Sequence, residues 1–196
     1  DLTLKNLLRQ IARSTGLAIL HITPAPALGF GLSDRIGVLI DGHLRQIDTQ
    51  DAIYDRPETL EVAEALGPIN RLRGHLLDTE DDTARIRLTS GTIVEAQLAP
   101  STATLQPGAP CIVAIRPERI AVAAVAAEEM GEGALPAQLE ETQFLRDHTA
   151  LRFTIGPAAN ADIWVTRPAG VIPPRGTRIS LAWQTHHAHV FTEPLA

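Results

Sequence analysis

Apolar residues at Leu4, Leu7, Leu8 and Ile11 follow the i, i+3, i+4, i+7 spacing that lays one apolar stripe along a helix reaching about Arg13. Gly16 is placed to end it. Leu17 to Ile22 is then a short continuous apolar run, the pattern of a strand buried on both faces. A helix leading into such a strand signals an α/β arrangement. Thr23 to Gly31, with two prolines and two glycines, predicts an irregular loop or a broken helix. Ile36 to Ile40 and Leu44 to Ile47 predict antiparallel strands joined by a type I′ turn at Asp41-Gly42. Thr49 can cap a short helix stopped by Pro57, and Thr59 another stopped by Gly67-Pro68.

Beyond Gly67-Pro68 the pattern turns to short strands. Leu72 to Leu77, Ala84 to Leu88, Thr92 to Leu98 and Cys111 to Ile115 are separated by Asp, Thr, Ser, Gly and Pro turns. Ala121 to Gly133 is rich in Ala, Glu and Gly and is predicted as a linker. The strand pattern then recurs at Gln138 to Phe144, Ala150 to Ile155, Asp162 to Thr166 and Arg178 to Trp183. Arg175-Gly176 precedes the last of these much as Pro107-Gly108 precedes Cys111. Two copies of roughly 55–60 residues predict paired small Greek-key barrels, packed together because one alone buries little.

Composition narrows the function classes. The chain has 196 residues and is 44% hydrophobic, which suits one or two small domains with a real core. A formal charge of −6 and only 4% aromatics argue against nucleic acid as a partner. The single cysteine, Cys111, rules out an internal disulfide and any metal site built on cysteines. No apolar run approaches bilayer length, so a membrane link is expected only through a partner. No methionine precedes Asp1, so the chain is expected to be a fragment of a longer protein or the product of a truncated, degenerate gene.

Leu32-Ser33-Asp34-Arg35-Ile36, Asp41-Gly42, Gln46-Ile47, Ile53-Tyr54 and Arg56-Pro57 resemble, in order and spacing, the end of the ATPase subunits of bacterial binding-protein-dependent importers. These include the spermidine/putrescine, ferric-iron and maltose types. Leu66-Gly67, Asn70 and Gly74 match the passage into their regulatory region. Val113 to Glu118, with Arg116-Pro117-Glu118 at its end, resembles the signature of the TOBE domain, an OB-like barrel. The ending, from Gly176-Thr177 through Trp183 to His189-Val190-Phe191, resembles the close of a second repeat. The resemblance implies an α/β remnant of an ABC ATPase domain over residues 1–66. All-β tandem OB-like barrels would follow over 67–196, as repeats 67–125 and 134–196, giving α+β overall. It also implies a homodimer docked on permease subunits at the cytoplasmic face of the inner membrane.

Departures from the family bear on catalysis. The family's strand ends in Thr-His-Asp, whose histidine contacts the γ-phosphate; here Thr23-Pro24-Ala25 stands instead, and proline offers no donor or titratable group. His21 reads better as a buried core histidine than as its substitute. No G-x-x-x-x-G-K-[ST] loop and no apolar strand ending in Asp-Glu is present, so ATP and Mg²⁺, the cofactors of the full-length family, are not expected to bind this chain. No catalytic, cofactor or metal residue is assigned. Asp34, Arg35, Asp41, Gly42, Arg116, Pro117 and Glu118 are structural signature positions, and Arg116 with Glu118 is also the candidate for a small anion, as in related molybdate-sensing barrels. An oxyanion module would add hydroxyls such as Ser90, Thr92 or Thr142. His186, His187 and His189 read as a turn and strand rather than a metal site, and Glu128-Glu129, Glu140-Glu141 and Asp78 to Asp82 as solvated surface. Residues 1–66, with the Leu17–Ile22 edge and the Leu4–Ile11 stripe in need of cover, are expected to pack against a second copy, with exchange of segments as one form.

Overall fold

The computed structural model describes residues 2–102, 105–123, 134–156, 161–168, 170 and 172–193. The chain divides into two compact units, Asp1–Gly67 and Pro68–Ala196.

The first unit begins with α1 (Leu2–Thr15), which ends where Gly16 turns to φ +70°. A short α2 (Pro26–Gly29) breaks the loop that follows. Strands β1 (Ile36–Ile40) and β2 (His43–Asp48) form a hairpin whose turn residues Asp41 and Gly42 sit at φ 49° and 74°. Both residues of a type I′ turn need positive φ, which Asp tolerates and Gly adopts freely. Helices α3 (Gln50–Asp55) and α4 (Leu60–Ala65) start where the Thr49 and Thr59 hydroxyls accept from the amides of Ala52 and Val62. The core is small: Val38, Ile53, Val62 and Leu66 are buried, with Phe30, Ile36, Ile40 and Tyr54 packed against them. Phe30 and Tyr54 meet edge to face at 5.5 Å. Lys5 fastens α1 by donating to the carbonyls of Ala27 and Phe30, and Arg9 by donating to Gly31.

The Leu17–Ile22 run is not a strand. Its backbone carries no ladder pairing, and Leu20 and Ile22 are 87% and 82% exposed. A strand buried on both faces needs neighbours at its edges and a layer over each face; the described residues of this unit supply only the β1–β2 hairpin. His21 shares the exposure, which corrects the expectation of a buried core histidine.

The second unit holds the rest. A closed five-stranded barrel runs β12-β5-β4-β3-β6, from β3 (Asn70–Glu80), β4 (Thr83–Leu88), β5 (Ile93–Leu98), β6 (Pro110–Ile115) and β12 (Ala188–Thr192). An open five-stranded sheet runs β10-β9-β8-β11-β7, from β7 (Ala121–Ala123), β8 (Leu135–Phe144), β9 (His148–Ile155), β10 (Ala161–Pro168) and β11 (Arg178–Ala182). Burial alternates strictly along β4 and β9, so each strand sends every second side chain inward.

The two halves repeat but are not sequential. Leu76 and Leu139 occupy matching places: each lies at a register shift, in β3 and β8, and each carbonyl accepts from a glycine amide, Gly108 or Gly176. Each half then makes a one-turn 3₁₀ helix, Pro117–Arg119 or Thr185–His187, and crosses over. β7 pairs with β11 of the second half, and β12 pairs with β6 of the first. The expected repeats 67–125 and 134–196 are therefore interlocked, and the predicted linker begins as β7; residues 124–133 lie outside the described residues. The physical reason is burial. One core runs unbroken from Leu72, Ile86 and Val113 in the barrel to Leu139, Phe153 and Ile179 in the sheet, where a separate barrel of half the size would leave much of that surface wet.

Candidate functional site

Asn70 opens β3, and its side chain is almost fully buried. The amide donates from Nδ2 to the Trp164 carbonyl and accepts the Trp164 amide on Oδ1, both at 2.7 Å. Trp164 lies on β10, the sheet's edge strand, so the Asn70 amide satisfies both outward-facing backbone groups there. Arg116 caps the end of β6, is buried, and donates from Nη1 to the Pro68 carbonyl at 3.2 Å. Pro117 is buried in the 3₁₀ turn, which packs on β10, while Glu118 points outward. Arg119 closes that turn and meets Nε2 of His187 at 3.2 Å, so the two matching 3₁₀ turns touch at their last residues. Pro68, Asn70, Arg116 to Arg119 and Trp164 thus converge on one junction between barrel and sheet.

Residues 113–191, which hold this signature turn and both crossing strands, match the TOBE domain family. Nearly the whole chain aligns with spermidine/putrescine import ATP-binding proteins PotA. Identity is 30% with that of Frankia alni over 99% of this chain and 43% of the relative. It is 29% with that of Rubrobacter xylanophilus over 95% and 47%, and 30% with that of Pseudomonas aeruginosa over 87% and 45%. The chain is homologous to the C-terminal, TOBE-bearing region of spermidine/putrescine ABC importer ATPases. It spans about half the length of the curated relatives it matches. Among solved structures, the cytoplasmic molybdate-binding protein ModG aligns with a TM-score of 0.53 at 10% identity, over 63% of this chain and 96% of that one, a likeness of fold.

In the second unit the anion candidates stand in different settings. Arg116 is buried against Pro68, and Glu118 is exposed. Ser90 and Thr92 hydroxyls lie 3.4 Å apart at the β4–β5 turn, and Thr142 is exposed on β8. Glu140 and Glu141 belong to a charged ladder: Arg152 pairs with Glu141 at 3.1 Å and Asp162 at 3.3 Å, and Arg175 with Glu140 at 3.7 Å. Hydrogen bonds from Gln143 and then Arg152 hold the Glu141 carboxyl below its usual range. Asp78 pairs with Arg85, Glu128-Glu129 lies outside the described residues, and the His186 and His187 rings meet at a tilt with centres 4.2 Å apart while His189 is buried on β12. Among the described residues no group of three His, Cys, Asp or Glu is placed to hold a metal.

In the first unit Asp34, with Arg9, Arg13, Ser33, Thr49, Gln50 and Asp51, lines an open polar groove of about 340 Å³. Arg35 donates to the Ile47 carbonyl, fastening the hairpin end. Pro24 is exposed in the loop before α2. Buried Gln46 donates to the Arg56 carbonyl and accepts from the Glu58 amide, the same two-handed use of an amide as Asn70. In the sequence Asn70 falls within the family pattern but shows no role, because its partner stands 94 residues away.

Proposed function

We propose that this chain is the regulatory and dimerisation portion of the ATP-binding subunit of a binding-protein-dependent importer, and that by itself it neither binds nor hydrolyses ATP. The collinear similarity to importer ATPases over nearly the full chain carries the reading. The chain lacks a P-loop and has Pro24 where the family has its switch histidine, so the γ-phosphate would have neither cradle nor positioning base. ATP and Mg²⁺ belong to the longer relatives. The partners are a second copy of the chain and the permease, and the permease supplies the link to the membrane's cytoplasmic face; among the described residues no helix is long and apolar enough to cross a bilayer.

The exposed Leu17, Ile19, Leu20 and Ile22 support a second copy, since so much uncovered apolar surface favours association. Analytical ultracentrifugation tests it: a concentration-dependent dimer weakened by Leu20→Asp with Ile22→Asp is expected, and a monomer at all concentrations sinks the dimer role. Equilibrium binding of a fluorescent ATP analogue tests the other half, with no saturable binding expected. The alternative, an oxyanion-sensing module, draws on the ModG-like fold. It calls for a heat of binding with molybdate or another oxyanion, and flat calorimetry removes it.

A further inference from the structure

We infer that Asn70 is a latch that fixes the edge of β10 to the first residues of the second unit, so that Pro68–Asn70, the Arg116–Arg119 turn and β10 move as one body. Among the described residues β10 pairs along one side, with β9. On an edge strand the outward N–H and C=O of alternate residues stand unpaired and offer a template to another chain. At Trp164 both of these groups are taken by one buried side-chain amide, at 2.7 Å each. Asn70 thereby occupies the slot that the peptide group of an incoming strand would fill.

The other end of the latch is held as firmly. The Asn70 backbone lies opposite Ile115 in the β3–β6 ladder, and two residues earlier the Pro68 carbonyl accepts from Arg116. The 117–119 turn that follows Arg116 rests on β10 itself. A loop thus closes from β6 through the signature turn to β10, across to Asn70 and back to β6. A carboxamide fits the pairing at Trp164 because it donates from one atom and accepts on another, which an ionised carboxylate cannot do. In the regulatory role proposed for this chain, the latch ties the sheet to Pro68–Asn70, the residues with which the second unit begins.

Hydrogen exchange on the intact chain tests the latch without assuming that reading. In Asn70→Ala, exchange over residues 161–168 is expected to speed up by about tenfold, the scale of one or two lost hydrogen bonds, with residues 83–98 of β4 and β5 unchanged. Asn70→Asp keeps the acceptor but loses the donor at neutral pH and sets a carboxylate against the Trp164 carbonyl. Its loss of protection at pH 7 should be partly restored at about pH 4, relative to wild type in the same buffer, where the protonated carboxyl can again donate. Unaltered protection over 161–168 in Asn70→Ala overturns the proposal, as does equal loosening of 83–98. If the alanine variant does not fold, Asn70→Asp decides alone: no recovery in acid overturns the proposal.

Discussion

Gly74 stands where β3 and β4 approach too closely for any side chain: an added Cβ would come within 2.6 Å of Ile86 Cγ2 and 2.7 Å of the Arg87 carbonyl. Backbone cannot yield as a flexible side-chain end can, so Gly74→Ala should cost about 1–3 kcal/mol by overpacking, read as a lower urea midpoint with an unchanged slope. Cys111 offers a second test. Burial, reinforced by Glu193, pushes its thiol from 9.0 up to about 11. The unfolded chain gives up this proton first as pH rises, so the thiol's contribution is complete below the ordinary value and is lost on the way to the folded one. Wild type should therefore lose stability between about pH 9 and 11 more steeply than Cys111→Ala, as measured by urea unfolding at each pH. The sequence shows a cysteine within an apolar strand; the packing decides how far its thiol is displaced.

At the scale of elements, local chemistry explains what the sequence made legible. The Asp41-Gly42 turn, the Thr49 and Thr59 caps and the stop after α1 all rest on interactions within a few residues. Thr59→Ala should cost about 1 kcal/mol, because the Val62 amide loses its cap; thermal unfolding with the Thr59→Ser variant as control checks it. Leu17–Ile22 shows the opposite case. Its composition is that of a strand, yet an extended segment becomes a strand only when another lies beside it, and none of the described residues does. The TOBE signature divides in the same way. Its Arg-Pro-Glu order was readable, but only the fold turns Arg116 inward to Pro68 and Glu118 out to solvent.

Over the whole molecule, the reciprocal crossing of β7 and β12 makes the second unit a single cooperative body. β12 sits between β5 and β6, pairing parallel with one and antiparallel with the other, so it closes the barrel. Ending the chain after His187 should therefore unfold the barrel and not merely fray its end. Loss of the near-ultraviolet signal and of protection in β3 to β6, rather than in residues 188–193 alone, is the expected outcome. The similarity to importer ATPases belongs to this scale too, since it rests on the order of motifs along nearly the full chain.

The sequence by itself determined the importer-ATPase kinship, the change of texture at Gly67-Pro68, most strands and helices, and the absence of a P-loop beside Pro24. These follow from periodicity, turn chemistry and motif order, all of which are local or collinear. Only the tertiary structure decided the exchange of β7 and β12, the exposure of Leu17–Ile22, and the meeting of Asn70 with Trp164. Each of these depends on which distant segment supplies the missing edge or cover. A chain pattern states that a strand or amide needs a partner, and the free energy of burying one shared core selects it.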